Sequence, residues 1–105
     1  MFAARWSIDA KFGHKDEAIA LCTRWQQEVG ERAGMKRSSC RVLSGSVGVD
    51  ESRCEFEYQF NSLAELEKAW SEMARLPAHQ AFARNLEPHI VSGSNRWEIL
   101  RIIQL

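Results

Sequence analysis

Few side chains in this sequence have the types and spacing that chemistry needs. In SLAELEKAWSEMARLPAHQAF, Trp70 stands nine residues ahead of His79, with Pro77 between them. On one unbroken helix that spacing turns the two side chains about 180° apart. Only a break at Pro77 brings both toward one cavity. His79 is followed by Phe82 and Leu86 at spacings of three and four, so these three share a helix face. A histidine there is the candidate for proton transfer. Tyr58 and Asn85 are the candidates for orienting a ligand. The bland reading of the same residues is a packed helix face, with Trp70 in the core and His79 satisfied by backbone or water.

Other candidates are weaker. Glu55 and Glu57 lie two apart on one strand face and invite an acid–base reading, but pairing with Arg5, Arg41 or Arg101, across strands or across a dimer, is the simpler one. Cys22, Cys40 and Cys54 are odd in number and widely spaced, which suits neither a CxxC redox pair nor a zinc site. With a hairpin turn at Asp50-Glu51, Cys54 faces Val47 and Cys40 lies about seven residues down the strand, out of disulfide reach. Free thiols behaving as small hydrophobes, in a reducing cytoplasm, are expected. His14 reads as solvated. His89, after Pro88, shows no partner at metal spacing, so no metal site is expected. GSVG lacks the lysine and following helix of a phosphate loop. No serine has a histidine–acid context.

The elements that must position these residues follow from the hydrophobic pattern. Phe2 to Asp9 alternates, with Phe2, Ala4, Trp6 and Ile8 on one side, and reads as a strand. From His14 to about Ala33, the positions Ala18, Leu21, Cys22, Trp25 and Val29 make one helical stripe that Gly34 ends. SSCRVLSGSVGV reads as a weak strand and RCEFEYQF as a strong one, with Cys54, Phe56, Tyr58 and Phe60 on one face; together they form a hairpin. Ser62 opens a helix with the capping box S-L-A-E, whose inner stripe is Leu63, Leu66, Trp70, Met73 and Ala74. Pro77 starts a further short helix and Pro88 ends it. VSGSN is a loop. RWEILRIIQL closes the chain as a strand apolar on both faces, which predicts cover on both sides.

The order is β-α-β-β-α-α-β in one domain spanning residues 1–105: an α+β, ferredoxin-like fold with helices on one face of a four-stranded antiparallel sheet. That length buries one core and leaves no room for a separate catalytic domain. Fourteen basic and 14 acidic residues balance, so the sequence shows no nucleic-acid-binding excess. No apolar run reaches the ~18 residues of a membrane span, and MFAARWSIDAKF is not a signal peptide. The sheet face away from the helices carries Arg5, Ser7, Asp9, Arg41, Leu43, Val47, Glu55, Glu57, Leu100 and Ile102. Such a mixture of both charges with aliphatics suits a self-complementary contact with a second copy.

The strand–Gly13–HKDEAIAL opening, the RCEFEYQF strand and the block SLAELEKAW…LPAHQAF…LEP before a last strand resemble the dimeric α/β-barrel superfamily. The chain is most similar there to small members related to the NIPSNAP and antibiotic-biosynthesis-monooxygenase groups. The resemblance covers essentially the whole chain. It implies a homodimer with two sheets face to face and helices outside. The inward residues themselves offer an apolar pocket between sheet and helices, lined by Trp6, Phe56, Tyr58, Trp70 and Phe82, with His79 at its mouth. Reactions in the superfamily range from cofactor-independent oxygenation to haem degradation, and some members have no known activity, so fold does not select function. The haem-degrading pattern needs an asparagine on the first strand, where this chain has Trp6, and an iron-ligating histidine where it has Ala83. Only Trp70 matches, so haem is set aside and no cofactor is expected. Two functions remain. One is binding or slow turnover of an aromatic or apolar small molecule, as a cofactor-independent monooxygenase with His79 assisting deprotonation. The other is a non-enzymatic dimerising module with a filled core.

Overall fold

The computed structural model describes all residues from Met1 to Leu105. The strands are β1 (Phe2–Asp9), β2 (Cys40–Ser44), β3 (Arg53–Phe60) and β4 (Arg96–Arg101). The helices are α1 (Lys15–Trp25), a short α2 (Glu31–Ala33), α3 (Leu63–Ala74) and α4 (Pro77–Leu86). The sheet runs in the order β2-β3-β1-β4, every neighbour antiparallel, which is the ferredoxin-like α+β topology. In the register Ala4 sits opposite Tyr58 and Ile99, and Trp6 opposite Phe56 and Trp97. Even-numbered residues of β1 therefore share the helix-covered face with the aromatics of β3 and with Trp97. Ala4, Ile8, Cys54 and Tyr58 join Ala18, Leu66 and Ala69 of the helices in one buried cluster.

The helix from Lys15 to Ala33 is not uniform. A π stretch, Gln26–Gly30, joins α1 to α2. A Cβ on Gly30 would lie 2.9 Å from the Gln26 amide, so glycine leaves that side chain room to fold back over the turn. There Gln26 donates from Nε2 to the Met35 carbonyl at 2.7 Å and accepts from the Tyr58 hydroxyl. Gly34 closes the helix in the left-handed region, φ 92°, where glycine carries no Cβ penalty.

Three expectations change. β2 stops at Ser44, so Cys54 faces Ser44 rather than Val47, which is fully exposed in the loop. The chain folds so tightly at Gly45 that a Cβ there would sit 1.7 Å from the Asp50 carbonyl oxygen. The buried stripe of α3 is Leu66 and Ala69, with Trp70 and Met73 half-buried, while Leu63 and Ala74 are exposed. β4 ends at Arg101 and is an edge strand with Ile99 and Leu100 exposed, so this chain alone does not cover it. The cap of α3 is nearly as expected: Ser62 Oγ accepts from the Glu65 amide at 3.2 Å. The Glu65 carboxylate reaches back one residue further, to the Asn61 amide at 3.1 Å. Pro77 takes the first turn of α4, after Leu76 in extended conformation. No helix is long and apolar enough to cross a membrane.

Candidate functional site

A cavity of about 470 Å³ opens between the sheet and helices α1 and α4. Its wall is mainly apolar, with a large aromatic share. Trp6 comes from β1, Phe56 from β3, Trp97 from β4, Trp25 from the end of α1 and Phe82 from α4. Trp6 lies 5.9 Å from Phe56 and 6.3 Å from Phe82, and Trp25 lies 6.0 Å from Phe82, all tilted. Tilted ring pairs at this separation are favourable, and planar groups meeting at such angles leave space between them. Exposed Ala83, Glu87, Ser92, Gly93 and Asn95 mark the mouth.

The expected site residues divide. Trp6, Phe56, Tyr58, His79 and Phe82 meet on this one wall. Trp70 and Asn85 do not. Trp70 stands behind the wall, edge-on to Trp97 at 5.5 Å, and its buried indole N–H has no partner. Asn85 is exposed and borders a shallow groove beside Leu21 and Glu28, because α4 turns it away from Phe82's inner side. The break at Pro77 does free His79 from the phase of α3, yet it directs His79 toward Trp25 rather than Trp70.

His79 is held there by a specific bond. Trp25 Nε1–H donates to His79 Nδ1 at 3.0 Å. Burial alone pushes the imidazole's pKa below its ordinary value, which favours the neutral ring. Tyr58 contributes its ring face but not its phenol as a free group. The hydroxyl is committed to Gln26, and burial first, then the Cys40 thiol opposite, raise its pKa. Cys22 also lines the cavity, and burial, with a lesser push from Cys54, raises its thiol to about 12. A thiol so protonated is no nucleophile. All three cysteines are free.

The other carboxylate and histidine candidates lie elsewhere. On the open sheet face Glu57 is only 4% exposed and accepts from Arg41 Nε at 2.6 Å and Arg5 Nε at 2.7 Å. The bonds from Arg41, ahead of those from Arg5, hold its carboxyl below the ordinary 4.5 despite burial. Glu55 meets Arg53 at 3.9 Å, and Arg101 lies over the Phe2 ring instead of a carboxylate. His14, expected to be solvated, is instead half-buried against His89: the two Nδ1 atoms are 3.0 Å apart, and His89 Nδ1 is 3.2 Å from Glu17. This contact ties the start of α1 to the turn after α4. No group of three or more histidine, cysteine or acidic side chains able to hold a metal ion is present.

Trp25 and Trp97 are the aromatic wall residues that the sequence reading leaves out of the site. The pattern puts both on inward faces, Trp25 in the α1 stripe beside Cys22 and Trp97 on β4, and in both cases the spacing is also that of an ordinary core residue.

No family model matches the chain, and no curated protein matches it in sequence. Solved structures do match in shape. A NIPSNAP family protein from Agrobacterium tumefaciens superposes with a TM-score of 0.77 at 17% identity, over 95% of this chain and 90% of that one. An uncharacterized NIPSNAP domain protein from Burkholderia xenovorans gives 0.73 at 14%, over 98% and 95%. SnoaB, a cofactor-independent oxygenase from Streptomyces nogalater crystallised as a point mutant, gives 0.70 at 10%, over 99% and 94%. The chain thus has the ferredoxin-like α+β fold that these NIPSNAP and oxygenase structures also have, and the likeness is one of fold.

Proposed function

We propose that this protein binds a flat aromatic small molecule in the cavity between sheet and helices. The observation that carries this reading is the wall itself: three tryptophans and two phenylalanines around about 470 Å³. That volume falls in the range of small-ligand sites, which are mostly apolar with a few polar groups. Its residues run from Trp6 to Trp97, so both ends of the chain serve one unit, residues 1–105. The open cavity weighs against the rival reading of a dimerising module with a filled core. The enzymatic form of the proposal is a cofactor-independent monooxygenase on an aromatic substrate, an assignment that the shape of the SnoaB structure favours among known reactions. Three free thiols fit a reducing, cytoplasmic setting.

The working unit in this proposal is a homodimer joined through the open sheet face. Leu43, half-buried, and Leu100, 45% exposed, flank the Arg5–Glu57–Arg41 group there. A face with both charge signs and aliphatics is self-complementary under a two-fold axis.

The test is a thermal-shift screen with native mass spectrometry over three-ring aromatics, aromatic polyketides, flavins and haem. Binding raises the unfolding midpoint by mass action. A three-ring aromatic or polyketide bound once per chain, and lost in Trp6→Ala, is the expected result. A panel with no stabilising member overturns the proposal.

A further inference from the structure

We infer that the cavity reads a hydrogen-bond acceptor on its aromatic ligand through the Nε2–H of His79, and that Trp25 is the positioning residue that fixes this polarity. The inference deepens the aromatic-binding proposal and rests on it.

The chemistry begins at Trp25. An indole nitrogen only donates. With Nε1 at 3.0 Å, His79 Nδ1 must present its lone pair. A neutral imidazole carries one proton, so that proton is on Nε2. Protonating both nitrogens would set two N–H groups against each other, and burial opposes the charge as well. The only hydrogen bond of the His79 side chain is the one from Trp25, and Nε2 is not among the buried polar atoms that lack partners. His79 lines the cavity, and its Nε2–H has no partner within the protein and is open to solvent or to a ligand.

Trp25 can impose this state because it is itself fixed. Its ring packs on Phe82 at 6.0 Å and meets His79 edge-on at 6.3 Å. It is the last residue of α1, directly before the π stretch. Gln26, the next residue, is anchored at both ends of its amide, by the Met35 carbonyl and the Tyr58 hydroxyl. π turns of this kind gather at functional sites.

Two consequences follow. His79 is not a general base, because its one lone pair is already engaged. The site prefers a ketone, quinone or phenolate oxygen over a ring N–H at the same ligand position, since a group that only donates would meet His79 Nε2–H head-on.

Three tricyclic probes of one shape separate these cases: 9-fluorenone offers a carbonyl, fluorene a methylene and carbazole an N–H. Binding to the full chain is measured by calorimetry or fluorescence, and the His79 ring by ¹⁵N-edited NMR. Fluorenone is expected to bind about 5- to 10-fold more tightly than fluorene, the worth of one hydrogen bond, and carbazole no more tightly than fluorene. His79→Leu should remove the fluorenone preference while leaving fluorene bound. His79→Gln, which keeps an N–H near the Nε2 position, should retain part of it. Trp25→Phe should narrow it and let carbazole gain, with the His79 spectrum shifting from the Nε2–H tautomer to a mixture. Equal binding of all three probes, unaffected by His79→Leu, overturns the acceptor reading and leaves the aromatic site standing. Binding of none overturns both. An Nδ1–H tautomer in the unaltered protein overturns the role given to Trp25 directly.

Discussion

The two faces of this sheet come from the same four strands, residue by alternate residue, and solve opposite problems. The helix face of β1 and β3 carries Trp6, Ile8, Cys54, Phe56 and Tyr58, and rests against α1, α3 and α4. The open face carries Arg5, Ser7, Glu55 and Glu57 on the same strands. On the first, apolar burial holds the layers together, but rigid rings around His79 leave a cavity. On the second, Glu57 is buried without a covering layer, because two arginines from the neighbouring strands close over it. The proposed ligand would enter the face where packing is incomplete. The proposed second copy would cover the face where side chains are packed within the plane but lack a layer above.

Damage to the helix face should cost most. Phe56 is buried and lines the cavity. Phe56→Ala should destabilise the fold by about 3–4 kcal/mol and lower the melting midpoint by roughly 15 °C or more. Scanning calorimetry checks this. A drop of only a few degrees would mean that the ring rests against empty space rather than a packed layer, and the contrast between the faces would shrink.

On the open face, Leu43→Asp with Leu100→Asp should leave folding nearly intact, since the two side chains are not in the core cluster. The same pair should raise the dissociation constant of the proposed dimer by about 100-fold or more, because buried like charges meet across the two-fold axis. Sedimentation velocity at micromolar concentration decides it. Unchanged sedimentation would move any dimer contact away from this face.

The Arg5–Glu57–Arg41 group gives a smaller, pH-dependent effect. The folded carboxyl of Glu57 is held below 4.5, so the folded state binds the proton less readily than the unfolded chain. Its contribution is complete above pH about 4.5 and fades as pH falls through the folded value. Glu57→Gln should cost about 1–2 kcal/mol at neutral pH and flatten the stability profile below 4.5. The same slope in the variant would assign acid sensitivity to other carboxylates. His79 acts with the same sign in a different window. Its folded pKa lies below 6.5, so stability falls as pH drops below 6.5, and His79→Leu should remove that part of the slope.

Much of the fold was legible in the sequence because period and punctuation are local. Alternation marked β1 and β3, the Ser62 cap and Pro77 set the boundaries of α3 and α4, and Gly34 closed the first helix. The misreadings lie where long-range geometry overrides pattern. The length of β2 depends on how the chain folds at Gly45 against the Asp50 carbonyl, which no alternation records. The π stretch depends on Gln26 reaching Tyr58 and Met35, partners distant in sequence or beyond the helix end. On the cavity wall, the placement of Trp6, Phe56, Tyr58 and Phe82 was legible because each faces inward, whereas Asn85 on α4 faces out. The bond that holds His79 was not legible, since its partner Trp25 is 54 positions away. Two adjacent helices must pack before that bond exists.

The smallest expected effect belongs to Trp70, the residue whose spacing from His79 first suggested a site. Its indole N–H is buried with no acceptor, and an unmet donor is unfavourable by about 1–3 kcal/mol. Trp70→Phe removes that donor along with part of the ring. The lost packing on Trp97 and the relieved N–H should nearly cancel, leaving stability within about 1 kcal/mol of the parent. Fluorene and fluorenone should bind unchanged, because Trp97 separates Trp70 from the cavity. A variant that folds normally but no longer binds them would put Trp70 on the wall and return it to the candidate site. A variant that binds normally and melts within a few degrees of the parent would fix the boundary of the site at Trp97, with Trp70 as its backing.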